Sequence, residues 1–258
     1  MLTETDQKVL ASINLHAVFG ALPRLAELAP EARELLAGLG APVSLTLSVA
    51  GGDSTRLHCR RDGISATDPT PGATKARLLF RSAQHLNAVV TGTAQPIPLA
   101  GLAGLRFLTS VFTPLTVLLG RYLRPSADDL ADPEFADTSR MLLLDVAVSA
   151  IAVVANDDRS GRFSASHMSD GDLDITVGDA LRYRLRVRDH AITRAEVTDS
   201  APRAVFGFAD LRTAGDVLAG RESALACVGD GRIALRGYIP LVDNTSRILD
   251  RVGQYLGK

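Results

Sequence analysis

Between Val43 and Val49 the apolar residues Val43, Leu45, Leu47 and Val49 alternate with polar ones, the two-residue period of a strand that buries one face. Gly51-Gly52-Asp53 turns this strand into a second at 56–60, and Asp62-Gly63 turns the chain again, predicting an antiparallel meander. Upstream, Leu10, Ile13, Leu15, Val18, Leu22 and Leu25 keep a mostly helical rhythm that Pro23 bends or ends, and Pro30 opens a second helix. Downstream come a strand at 77–80, a helix over 83–90 capped by Ser82, and an extended Pro96-Ile97-Pro98 spacer. Residues 99–123 are nearly all apolar, punctuated by Gly101, Gly104 and Pro114, and read as one or two helices with little polar face.

The polar, acidic stretch 124–132 reads as a linker, and Asp132-Pro133-Glu134 opens a long helix through Ala155 that ends in Asn156-Asp157-Asp158. Strands are predicted at 161–167, 173–177, 181–187, 192–197 and 204–208. Asp210 then caps a helix to Leu218, residues 233–237 add a strand, and an apolar-faced helix over 242–256 closes the chain.

The pattern occurs twice. Leu78-Leu79-Phe80-Arg81-Ser82 leading to Val89-Val90-Thr91-Gly92 has the layout of Phe206-Gly207-Phe208-Ala209-Asp210 leading to Val217-Leu218-Ala219-Gly220. Arg60-Arg61-Asp62-Gly63-Ile64 answers Val187-Arg188-Asp189-His190-Ala191-Ile192 as a turn, and Gly120-Arg121-Tyr122-Leu123 answers Gly253-Gln254-Tyr255-Leu256. Four landmarks in one order at one offset predict two domain-sized copies, residues 1–125 and 132–258, each with its own core.

Composition narrows the function classes. A formal net charge of -1 and the absence of Trp remove the field and the stacking surfaces that nucleic-acid binding needs. The two cysteines, Cys59 and Cys227, are too few for a disulfide scaffold and suit a reducing compartment. The polar start of the chain has no secretory pattern, and the longest apolar stretch, 141–155, falls short of the ~20 residues that span a bilayer. A soluble, cytoplasmic protein is expected.

The stretch 203–256 resembles the sterol carrier protein type 2 family. The resemblance is carried by Val205-Phe206-Gly207-Phe208-Ala209-Asp210, Val217-Leu218-Ala219-Gly220, Gly231-Arg232-Ile233-Ala234-Leu235-Arg236-Gly237 and the closing helix. Residues 77–123 look like a divergent second member, keeping Phe80, Val89-Val90 and Gly92 but replacing the Gly-strand-Gly segment with Gln95-Pro96-Ile97-Pro98-Leu99. The resemblance implies an α+β fold in two tandem copies, each a curved antiparallel sheet covered by helices, with an apolar tunnel for a fatty acyl chain, a sterol or another lipid.

No catalytic constellation is visible. The histidines lie on different elements without metal-ligand spacing, and no elbow serine or phosphate-cradling loop occurs. Gly229-Asp230-Gly231-Arg232 mimics a dinucleotide fingerprint but leads into a strand. Asp170-Gly171-Asp172-Leu173-Asp174 mimics the start of a calcium loop but lacks its glycine and final acid.

What remains is apolar surface. Candidate ligand-lining residues in the first copy are Phe80, Leu86, Val89, Val90, Leu102, Leu105, Leu108, Val111, Phe112 and Leu115. Those in the second are Phe206, Phe208, Leu211, Val217, Leu218, Ile233, Leu235, Ile248, Leu249 and Val252. The glycine- and proline-interrupted helices of the first copy are expected to give it the roomier cavity. The expected function is non-enzymatic binding or transfer of a hydrophobic ligand, with no cofactor, no metal and no nucleic-acid partner, and with transient membrane contact and homo-oligomerisation open. The alternative is an interaction or dimerisation module with filled cores.

Overall fold

Each half of the chain closes a sheet whose buried face is written in its alternation. In the computed structural model, which describes residues 5–257, the strands of the first half are β1 (Val43–Val49), β2 (Ser54–Arg60), β3 (Gly63–Ser65), β4 (Thr74–Phe80) and β5 (Ile97–Ala100). Those of the second are β6 (Gly171–Val177), β7 (Leu181–Arg188), β8 (Ala191–Ala195), β9 (Ala204–Phe208) and β10 (Ile233–Gly237). The orders are β3-β2-β1-β4-β5 and β10-β9-β6-β7-β8, so β10 answers β5 and β8 answers β3.

The registers match as well. Val43 faces Cys59 as Gly171 faces Val187, and Leu45 faces Ala76 as Leu173 faces Ala204. The expected α+β architecture of two sheet-and-helix copies is present. Both sheets are antiparallel except at their centres, where β1 runs parallel to β4 and β6 to β9. Parallel neighbours need a crossover, and in each copy the chain makes it after two meander strands, β2 and β3 in the first and β7 and β8 in the second.

By compactness the chain divides into a first unit, residues 10–142, and a second from residue 143 onward together with the segment up to Val9. The division falls inside the helix Pro133–Asp157, beyond the polar stretch 124–132, where only the short turn Asp129–Ala131 forms. That helix is apolar on nearly all sides, so it continues where the composition alone changes.

In the first unit Val43, Leu45, Leu47, Leu57, Ala76, Leu78 and Phe80 form the buried face of the sheet. Helical segments at 7–37, 83–90 and 102–123 supply the rest of the core, with Phe112 6.3 Å from both Phe19 and Phe107 between ring centres. Two helices widen into a π-turn, at Asn14–Val18 and Leu108–Phe112. From the first of these Asn14 donates to Asn87 Oδ1 at 3.0 Å, a buried polar tie to the helix Ala83–Val90, which Ser82 caps through the His85 N–H.

In the second unit Asp210 repeats that cap, accepting from the Thr213 N–H at 2.7 Å at the head of the helix Leu211–Leu218. Asn156, in the last turn of the long helix, clamps the edge strand β8 at two points, accepting from the Ile192 N–H at 3.0 Å and donating to its carbonyl at 2.7 Å. Asp189 and His190 adopt left-handed backbone at the β7–β8 turn, and the Asp189 N–H is held by Asp170.

Three expectations need correction. Pro96-Ile97-Pro98 is no mere spacer: Ile97–Ala100 pairs with β4 and closes the sheet edge, which Pro98 tolerates because an edge strand has a side without ladder bonds. Residues 161–167 do not form a strand; Arg159–Ala165 is a helix capped by Asp158. Three helices, Gln7–Leu28, Leu102–Leu123 and Pro133–Asp157, are long and apolar enough to cross a membrane by length and composition. Counting uninterrupted apolar runs had missed them because a helix of this length tolerates scattered polar residues. The apolar windows of the first and third are 61% and 67% buried within the fold, and that of Leu102–Leu123 is 39% buried.

Candidate functional site

A small void lies in the second unit where three layers of apolar side chains meet. Leu144, Ala147, Val148 and Ile151 enter it from the long helix, Ile175 from β6, and Phe206 and Phe208 from β9. Leu218, from the helix Leu211–Leu218, with Thr245 and Leu249 from the closing helix Ile239–Leu256, completes the wall. The local sequence explains the convergence. Alternate residues of β6 and β9 point one way, residues three or four apart on the long helix share a face, and the strongly amphipathic closing helix turns its apolar side inward.

The void measures about 10 Å³ as it stands, close to the room of one water molecule. Its wall is wholly apolar, Thr245 meeting it through carbon atoms, and the hydroxyl oxygen of Thr245 is buried without a hydrogen-bond partner. A buried hydroxyl left unpaired is costly, because water is lost and nothing replaces it. The wall itself suits an apolar occupant.

Of the residues expected to line a ligand site, Phe206, Phe208, Leu218 and Leu249 do meet at this void. Val217, Ile233, Ile248 and Val252 are buried in the same unit outside the lining, Leu211 is half-buried, and Leu235 is on the surface. In the first unit Phe80, Leu86, Leu108, Val111, Phe112 and Leu115 are core, and Val89 and Val90 are half-buried. Leu102 and Leu105 are on the surface, 88% and 38% exposed.

The void belongs to the second unit. Sequence reasoning placed the long helix but not its Leu144, Ala147, Val148 and Ile151 in the lining, and it missed Ile175 and Thr245 there. The all-round apolar pattern of 141–155 was the available signal, since such a helix must be covered on every side.

Other groups are already engaged. Asp172 is held below the usual carboxylate range, first by its hydrogen bond from Arg186, against a burial effect that raises it. Asp174 accepts from Arg184 and Arg182, so the acidic run of β6 serves the sheet. Burial pushes the Cys59 thiol up to about 12, an inert apolar filler. His16 pairs with Asp53 at 2.6 Å on the surface, and among the described residues no three potential ligands cluster for a metal.

No family's sequence profile and no curated protein sequence matches the chain. Among solved structures, sterol carrier protein 2 like 2 from Aedes aegypti is similar with a TM-score of 0.30 at 8% identity, over 40% of this chain and 93% of that one. A likeness this distant assigns neither family nor function.

Proposed function

We propose that the second unit binds the apolar chain of a lipid, without catalysis, between its long helix, its sheet and its closing helix. The observation that carries this reading is the wholly apolar void where these three layers meet. Each methylene buried there contributes ~0.8 kcal/mol. A chain needs far more room than the closed void offers, so binding requires the closing helix to swing outward. Ile239, in its first turn, is 60% exposed, and Leu225 and Leu235 of the same unit also leave apolar surface in water.

The test is displacement of a fluorescent fatty acid, with mass spectrometry of lipid extracted from the purified protein. Val148→Trp, which fills the void, is expected to abolish displacement. Absence of both co-purifying lipid and displacement rejects the reading.

The small closed void and the exposed Leu225 and Ile239 favour a second reading, an interaction module with filled cores. An obligate dimer in light scattering with no bound lipid selects it.

A further inference from the structure

We propose that the outer face of the first sheet, continued by the apolar edge at Leu99 and Leu102, docks on a lipid bilayer surface that carries anionic headgroups. The two copies differ at this face. In the second sheet Asp172 and Asp174 on β6 take up Arg186 and Arg184 on β7, each at 2.7 Å, and Thr198 and Ser200 close over Arg184 until none of it is exposed. The matching registers put Ser44 and Thr46 at the places of Asp172 and Asp174, and Arg56 at the place of Arg184. One of the two arginines is retained, the place of Arg186 being taken by the buried His58, and neither carboxylate is.

The result is an exposed cationic surface. Arg56 and Arg77 flank Thr46 on the neighbouring strands, and Lys75 lies one step along β4 on the same face. Strands β1, β2, β4 and β5 contain no acidic residue, and the described residues offer none of the three cations an ion pair. The neutral hydroxyl of Ser48 accepts from Arg77 at 3.0 Å. Like charges gathered on one face without a counter-charge repel one another, so the face gains from a partner that supplies negative charge.

The partner's other property comes from the edge. Leu99 is directly opposite Arg77 in the register, on the same face, and is 48% exposed; Leu102 follows at 88%. The helix that Leu102 opens starts against β4, where a Cβ on Gly104 would lie 3.2 Å from the Lys75 carbonyl oxygen. Protruding aliphatic side chains beside a row of cations match the boundary of a bilayer, where aliphatic groups enter the acyl region and cations stay among the headgroups. A nucleic acid would need stacking surfaces, and the two aromatic rings on these strands, His58 and Phe80, are both buried.

This surface is separate from the void of the second unit, and its test is scored on bound protein whether or not that void is occupied. The purified chain is sedimented with vesicles of phosphatidylcholine, and with vesicles in which part of it is replaced by phosphatidylglycerol. The expected result is binding to the mixed vesicles alone, lost as salt is raised. Each of R56Q, K75Q and R77Q should weaken binding about fivefold, and the three together roughly a hundredfold. L99S with L102S should weaken it further, whereas Arg236→Gln in the second sheet should not. Because Arg56, Lys75 and Arg77 are exposed, unchanged circular dichroism is expected, and the single variants give the same answer if the triple variant misfolds. Equal binding to both vesicle types, indifference to the triple substitution, or tighter binding to polyglutamate or to single-stranded DNA than to the mixed vesicles would overturn the proposal.

Discussion

Replacing Asp174 by Ala is expected to destabilise the second unit by about 3–5 kcal/mol, because it takes both carboxylate hydrogen bonds from a wholly buried guanidinium and leaves it only Asp172, 3.6 Å away, as counter-charge. Arg184 has no exposure and Asp174 1%, and two bonds join them, Nε to Oδ1 at 2.7 Å and the second terminal nitrogen to Oδ2 at 3.0 Å. The remaining donors of Arg184 are spent on Thr198, Ser200 and the Ser200 carbonyl, all at 2.8 Å, so no solvent can take the place of the lost carboxylate. In urea the two units are expected to melt separately, with the later residues shifting alone. The charge pair itself need not be net stabilising: Asp174→Leu with Arg184→Met, which removes both charges and keeps the volume, should recover most of the loss. A single Asp174→Ala variant with an unchanged midpoint would show that Arg184 escapes to water.

The strands were legible because a half-buried strand writes its face directly into its residues. Val43, Leu45 and Leu47 alternate as the core requires, and Gly51-Gly52-Asp53 has the turn chemistry to match. The duplication was legible too, since Ser82 and Asp210 are caps of one kind at equivalent points, each accepting from an N–H three residues on.

What sequence reading could not reach depended on partners remote in the chain. Ile97–Ala100 looks like a proline-rich spacer until β4 offers it an edge, and Leu102 has the apolar character of a core residue yet stands in solvent. Thr245 is an ordinary polar residue on an amphipathic helix, and only its neighbours from four other elements make its hydroxyl an orphan. Residues 161–167 were misread for a local reason. Asp158 looked like the end of the long helix, whereas it is the cap that starts the next one.

Asp158 is therefore the residue whose loss should have the second-largest effect. Its Oδ1 accepts from the N–H groups of Ser160 and Gly161, both at 2.9 Å, which caps the helix Arg159–Ala165. Its Oδ2 accepts from the Tyr255 hydroxyl at 2.7 Å and from the guanidinium of Arg251 at 3.1 Å, and so ties that cap to the closing helix. Tyr255 in turn accepts from the Asp6 N–H at 3.3 Å. Asp158→Ala removes a cap and leaves two buried donors short of an acceptor, an expected loss of about 2–4 kcal/mol. Asp158→Asn keeps the cap acceptor and should lose about half of that.

The pH dependence separates this network from simple packing. Burial pushes the Asp158 carboxyl up, but the bonds from Arg251, the Gly161 N–H and Tyr255 outweigh it and hold the group below its ordinary range. A depressed carboxylate contributes stability that is fully present above the unfolded value, near pH 4, and is lost as pH falls through the folded one. Tyr255 is pushed up to about 12, first by burial and then by Asp158. Its contribution is fully present below its unfolded value, near pH 10, and is lost as pH rises through the folded one. The stability gap between the native chain and Asp158→Ala should thus be widest near neutrality and close on the acid side below about pH 4. Tyr255→Phe should remove the Tyr255 share of the alkaline decline and leave that of Tyr122, which burial also pushes up to about 12. A gap that stays constant as the carboxylate is protonated would mean that Asp158 acts through its volume and not through its charge.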